Sequence, residues 1–163
     1  KMKKFKTMLA MMLALVGMCV AFSSCSSDDD DDKVTPAAEY VAGSYVNTLE
    51  MTVMGETSTY ENAEIKVEKV DDNTVNVVLP KAGEGMMALP SLTIPALKVT
   101  GSNGSYAFAV DSYKGSIEVN GATKEYTVTL SGAFANGQLT LNYQLQYGKM
   151  PMPMIGKFVS TKK

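Results

Sequence analysis

Ten consecutive residues, Gln138 to Tyr147, alternate without a break. Leu139, Leu141, Tyr143, Leu145 and Tyr147 fall on one side, and Gln138, Thr140, Asn142, Gln144 and Gln146 on the other. A repeat of two is that of extended backbone, whose successive side chains point to opposite faces. The stretch is therefore a strand with one buried and one wet face, the pattern of an antiparallel sheet. Lys124 to Ser131 repeats it, setting Tyr126, Val128 and Leu130 against Glu125, Thr127, Thr129 and Ser131. Asn103-Gly104, Asn120-Gly121 and Asn136-Gly137 separate such runs, and Asp71-Asp72-Asn73 marks another reversal. Asparagine and glycine accept the positive φ that tight hairpin turns demand. The spacing predicts strands near 43–54, 60–70, 74–80, 92–100, 105–112, 114–120, 122–134 and 137–148, with a short closing strand near 155–161. No helical period appears beyond residue 40. Connections this short make sequence neighbours pair. The expected fold is all-β, a single antiparallel meander barrel of about eight strands. A barrel is favoured over a two-sheet sandwich because a meander closes without crossovers and leaves no free edge.

The chain ahead of the barrel reads as an address. Lys1, Lys3, Lys4 and Lys6 precede the uncharged apolar run Met8–Phe22, which is followed by Ser23, Ser24 and Cys25. That order describes a secretory signal, and the run is short for a membrane span, which needs about 20 apolar residues. The Ser24-Cys25 junction resembles a bacterial lipobox, with Phe22 where an aliphatic residue is usual. The resemblance implies that Cys25 is acylated and becomes the new N-terminus, while Cys19 leaves with the signal. Several acyl chains give stable anchoring, since each buried methylene contributes about 0.8 kcal/mol. The five aspartates Asp28 to Asp32 repel one another and stay extended. A cysteine, serines and an aspartate run resemble the export signal of surface lipoproteins in Bacteroidota. The expected organisation is a signal over 1–24, an acylated cysteine and acidic tether over 25–39, and the barrel over 40–163. The expected location is the outer membrane, lipid-anchored, with the cell surface preferred over the periplasmic face.

Two segments carry a wider resemblance. One is Val41-Ala42-Gly43-Ser44-Tyr45-Val46 leading into Leu49-Glu50-Met51. It is similar to the Gly-x-aromatic start of lipocalin-type barrels, with Tyr45 where tryptophan is common. The other runs from Asn136-Gly137-Gln138 to Tyr147-Gly148-Lys149-Met150-Pro151-Met152-Pro153. Together they resemble the calycin-like domain of Bacteroidota lipoproteins over residues 40–161. The resemblance implies a barrel, with room for a cavity, and no particular reaction.

Candidate binding residues follow from the inward parity. Tyr45, Met51, Tyr106, Phe108, Tyr126, Tyr143 and Tyr147 fall on the inner face, where aromatics either fill a core or line a pocket for a small apolar or amphipathic ligand. A buried tyrosine hydroxyl seeks a partner, so inward tyrosines point to a partly polar interior. Met150, Met152 and Met154 alternate with prolines, and Met86-Met87 lies in the longest irregular stretch, Lys81 to Ser91. These methionines are expected at the barrel mouth. Alternate residues of an extended run share a face, so the three of the Pro run could meet one soft ion such as Cu(I). Gap filling by a flexible thioether is the plainer reading, and no metal or cofactor is expected. In the 81–91 stretch Leu89 joins Met86 and Met87 as an apolar group exposed if the loop swings free.

Composition removes several functions. Histidine is absent and all 15 basic residues are lysine. Histidine-based nucleophilic catalysis and histidine-ligated zinc are excluded. A net charge of −2 argues against a nucleic-acid partner. The carboxylates Glu50, Glu64, Glu68, Asp111, Glu118 and Glu125 are scattered, most of them at outward positions, unlike a catalytic pair set across a cleft. The expected protein is a monomer and not an enzyme. Its partners are the membrane, through acylated Cys25, and a small apolar ligand. The alternative is a solid-core module whose loops and outer face bind a protein or glycan.

Overall fold

The computed structural model describes residues 35–84, 88–150 and 152–163. Cys25, Met86 and Met87 lie outside them. A short helix, α1 (Ala37–Val41), precedes eight strands: β1 (Gly43–Val53), β2 (Glu56–Asp71), β3 (Thr74–Leu79), β4 (Leu92–Ser102), β5 (Ser105–Val119), β6 (Ala122–Ala135), β7 (Gln138–Tyr147) and β8 (Met154–Thr161). All neighbours are antiparallel, and β8 returns to β1, so the meander closes into a barrel. The three Asn-Gly pairs take positive φ at both residues, as hairpin turns of this kind require. Met54-Gly55 makes a fourth such turn, with Met54 at φ 53 and 74% exposed.

Two expectations about the strands change. The runs 105–112 and 114–120 are one strand, β5, and the short closing run is a full stave, β8, paired with both β7 and β1. The apparent break in β5 is a bulge. Asp111 and Ser112 together face Thr129 alone between the pairs Val110↔Leu130 and Tyr113↔Val128. The extra residue moves the inward set from Tyr106 and Phe108 to Tyr113 and Ile117, so a strict period-two reading stops there. Bulges of the same make sit at Glu61-Asn62 opposite Thr48 and at Pro95-Ala96 opposite Asn76. In each, the second bulged residue has positive φ: Asn62 at 56°, Ala96 at 59° and Ser112 at 55°. Two are held from the facing strand, with Asn76 Oδ1 accepting from Ala96 N at 3.0 Å and Thr129 Oγ1 accepting from Ser112 N at 3.3 Å. Bulges bend and twist a strand, and here they turn the staves around the barrel.

Both ends are covered. At one end α1 buries Ala38 and Val41 in the core. Residues 33–39 were expected to be tether throughout, yet Ala37–Val41 is helical. Proline restricts the residue before it and leaves those after it free, so Pro36 can stand at the start of the helix. Five residues are too few for a helix to hold by itself; this one is fixed by burial and by Ala38 N donating to Asp72 O at 3.1 Å. At the other end, here the loop end, the described parts of the 80–91 connection, 80–84 and 88–91, fold together. Ala82 and Leu89 pair through bonds of 3.2 and 2.6 Å, and Ser91 Oγ donates to Leu79 O at 2.8 Å. Leu89 is therefore buried, not free to swing out as the glycine content of the loop suggested.

The inner face forms one apolar cluster from Val41 to Leu89. Its packing has a repeated device. Phe108 pairs with Gly132, Tyr126 with Gly115 and Tyr143 with Gly156, each directly across a ladder. A Cβ on any of these glycines would run into the ring opposite. The rings thus lie flat over neighbouring glycines and fill the tube sideways, which lets bulky aromatics share a narrow interior.

Candidate functional site

The inward aromatics named from the sequence are all buried, as is Met51. They do not line one chamber. Tyr45 sits at the α1 end, edge-on to Phe134 at 6.4 Å, and its hydroxyl donates to Val41 O at 2.6 Å. Burial pushes its pKa up to about 12. Tyr106 is also there, stacked on Tyr40 at 5.1 Å. Phe108 occupies the middle over Gly132. Tyr126, Tyr143 and Tyr147 lie toward the loop end.

Tyr126 closes a gap in the wall. The β4–β5 ladder has four pairs, Val99–Ser102 with Ser105–Phe108, and the strands part beyond them. The Tyr126 ring crosses Gly115 and its hydroxyl donates to Thr93 O of β4 at 3.1 Å, in place of a ladder bond. Burial, then the Tyr113 hydroxyl nearby, raises its pKa. On the same β5–β6 arm, Lys114, Gly115, Ser116, Glu125, Tyr126 and Thr127 line a recess of about 400 Å³.

The Pro-Met run divides. Met154 opens β8 and points into the core, Met150 is half-buried and Met152 is exposed. Their burial differs because Met154 belongs to β8 while Met152 lies at a bend ahead of it, where strand parity does not apply. Among the described residues no group of three His, Cys, Asp or Glu could hold a metal ion. The six scattered carboxylates are all exposed.

A second opening was not foreseen. β2 pairs with β3 only from Lys66 onward, so Glu56 to Ile65 has no β3 neighbour. On the inner face of this free stretch Ser58 is exposed and Tyr60 half-buried, while Met51 and Met154 beside them are buried. The result is a notch with an apolar floor. Ladder pairs put Tyr143, Gly156, Met51 and Ser58 in one row across β7, β8, β1 and β2. Because Gly156 has no Cβ, the Tyr143 ring lies across β8 toward that notch. Burial, then the Tyr60 hydroxyl, holds the Tyr143 phenol well above its usual pKa, so it keeps its proton. Inward parity identified Tyr143 and Met51 from the sequence. Ser58 and Tyr60 were missed because the bulge at Glu61-Asn62 interrupts the alternation.

Barrel topology, the capped ends and the Gly-first strand opening onto Tyr45 agree with a match to the calycin-like β-barrel domain over residues 41–161. The chain belongs to that family. The calycin-like barrel is also similar in fold to the crystal structure of a candidate outer membrane protein from Bacteroides fragilis. The TM-score is 0.61 and the identity 22%, over 79% of this chain and 53% of that one. The present chain spans about half the length of that protein. No curated protein sequence matches it.

Proposed function

We propose that this calycin-like chain is a non-catalytic outer-membrane lipoprotein, anchored through acylated Cys25 and displayed at the cell surface. Its barrel holds a small apolar or amphipathic molecule at the loop end. The observation that carries this reading is the notch beside β2, where inner-face positions are open to solvent above the buried side chains of Met51 and Met154. An apolar floor with a few polar groups at its rim is the usual makeup of a small-molecule site. The middle of the barrel is taken up by rings lying on glycines, so the ligand sits at the rim rather than in a deep calyx. The fold likeness to the candidate outer membrane protein of Bacteroides fragilis and the lipobox-like Cys25 support the location.

The test is native mass spectrometry of residues 26–163 secreted from the native host, since ladders and core close within residues 35–163. A retained small molecule is the expected result, and a bare polypeptide mass would count against it. For the anchor, Cys25→Ser should release the chain from the membrane fraction; unchanged membrane retention would refute acylation there. A second reading, a module that binds a protein or glycan, is favoured by exposed Met54, Met152 and Ile155 at the same rim and by the recess on the β5–β6 arm.

A further inference from the structure

Tyr143 is 4% exposed, and among the described residues its hydroxyl has no hydrogen-bond partner. No fully buried side-chain oxygen or nitrogen among those residues lacks a partner. Among the described residues, then, the Tyr143 oxygen is left to solvent although its ring is enclosed. The row Tyr143–Gly156–Met51–Ser58 fixes where it surfaces: over β1, facing the free stretch of β2. Tyr60 stands one row away, opposite Leu49 on the same inner face. The ring is aimed by Gly156, since any side chain there would displace it. Three hydroxyls are thus gathered at one opening, with Met51, Val53 and Met154 as its apolar neighbours.

We propose that Ser58, Tyr60 and Tyr143 form a head-group site for a neutral single-chain amphiphile, whose head they hydrogen-bond while its chain lies on Met51, Val53 and Met154. This deepens the ligand-binding reading above and rests on it. The charge pattern selects the head. No lysine occurs at inner-face positions of β1, β8 or the free part of β2. Glu56 lies two residues from Ser58 on the same face of β2 and repels a carboxylate or phosphate. Tyr143 stays protonated and donates, and hydroxyls can both give and accept, which suits an ester carbonyl or a glycerol hydroxyl. The lack of a β3 neighbour along Glu56–Ile65 leaves the site open at the side, so the head need not pass the capped end of the barrel.

The test is isothermal titration of residues 26–163 with monolaurin, laurate and dodecyltrimethylammonium, each below its micelle concentration. Monolaurin should bind at least about tenfold more tightly than laurate. Tyr143→Phe leaves the ring on Gly156 and removes only the hydroxyl. It should weaken monolaurin about three- to tenfold, the range for one net hydrogen bond. Tyr60→Phe and Ser58→Ala should each weaken it in the same direction, and Glu56→Gln should narrow the gap to laurate. Tyr113→Phe, on the other arm, should change nothing. A Tyr143→Phe chain with an unaltered urea midpoint and unaltered monolaurin affinity would overturn the proposal, and so would laurate or the cationic probe binding as tightly as monolaurin. Those results would leave ligand binding itself standing; wild-type chain that takes up none of the three probes would remove both.

Discussion

Gly132→Ala isolates the device that fills the barrel. Gly132 lies in β6 directly opposite Phe108, both are buried, and its backbone is not in the left-handed region, so alanine meets no conformational objection. On backbone grounds alone alanine should stabilise the strand by about 0.5–1 kcal/mol, because glycine loses more freedom on folding. The Phe108 ring opposes this. Three of its atoms lie closer to where a Cβ would stand than van der Waals contact allows, and the ring is 2% exposed. Forcing extra volume into a packed core costs about 1–3 kcal/mol. The steric term is the larger, and the expected net loss is about 1–2 kcal/mol. The assay is equilibrium urea unfolding of wild type, Gly132→Ala, Phe108→Leu and the double variant. Phe108→Leu alone should also destabilise, by leaving a gap over the glycine. Together the new methyl enters the space the smaller side chain vacates, so the double variant should be more stable than the sum of the singles by about 1 kcal/mol or more. A Gly132→Ala chain as stable as wild type, or strict additivity, would refute the claim that the ring is pressed onto this glycine.

Other consequences follow from the same geometry. Ala96→Gly should stabilise the fold by about 0.5–1 kcal/mol. Left-handed backbone at φ 59 costs alanine about 1–2 kcal/mol, partly offset by the larger unfolded-state entropy of glycine; an unchanged or lowered urea midpoint would contradict this. Val41→Ala should cost about 2 kcal/mol through lost burial at the α1 end, and a chain starting at Gly43 should be less stable again in thermal melts; a neutral result would mean α1 does not cap the barrel. Stability should fall between pH 10 and 12. Tyr45 titrates at about 12 when folded against an ordinary value of 10, so in that window the unfolded chain has shed a proton that the folded chain keeps. Tyr143, also raised, adds to the loss at higher pH. Urea midpoints at pH 8, 10 and 11.5 check this, and a flat profile would argue that neither phenol is buried.

Alternation along β6 and β7, with Asn-Gly between them, was enough to fix strands, turns and the inward set that includes Leu139, Tyr143 and Val128. These are local properties: side-chain parity and positive φ depend on a few neighbouring residues. Register is not local. That Tyr143 lies on Gly156, that Gly156 meets Met51 and that Met51 meets Ser58 are facts about four strands drawn from three parts of the chain. Met51 and Ser58 share one hairpin, but no short window of sequence joins that hairpin to Tyr143 and Gly156. The bulges at Asn62, Ala96 and Ser112 each reverse parity by one residue. Of these only Asn62 carries a residue suited to the left-handed region; at Ser112 the broken alternation reads as the end of a strand, and at Ala96 the preceding Pro95 is the sole mark of the extra residue. The same limit applies to the hydroxyls. Sequence placed several tyrosines inside and gave each a polar atom to satisfy. Only the closed barrel decided that Tyr45 and Tyr126 bond to backbone carbonyls while Tyr143 finds no partner among the described residues, because the distance from a phenol to its partner is set by which strands lie side by side.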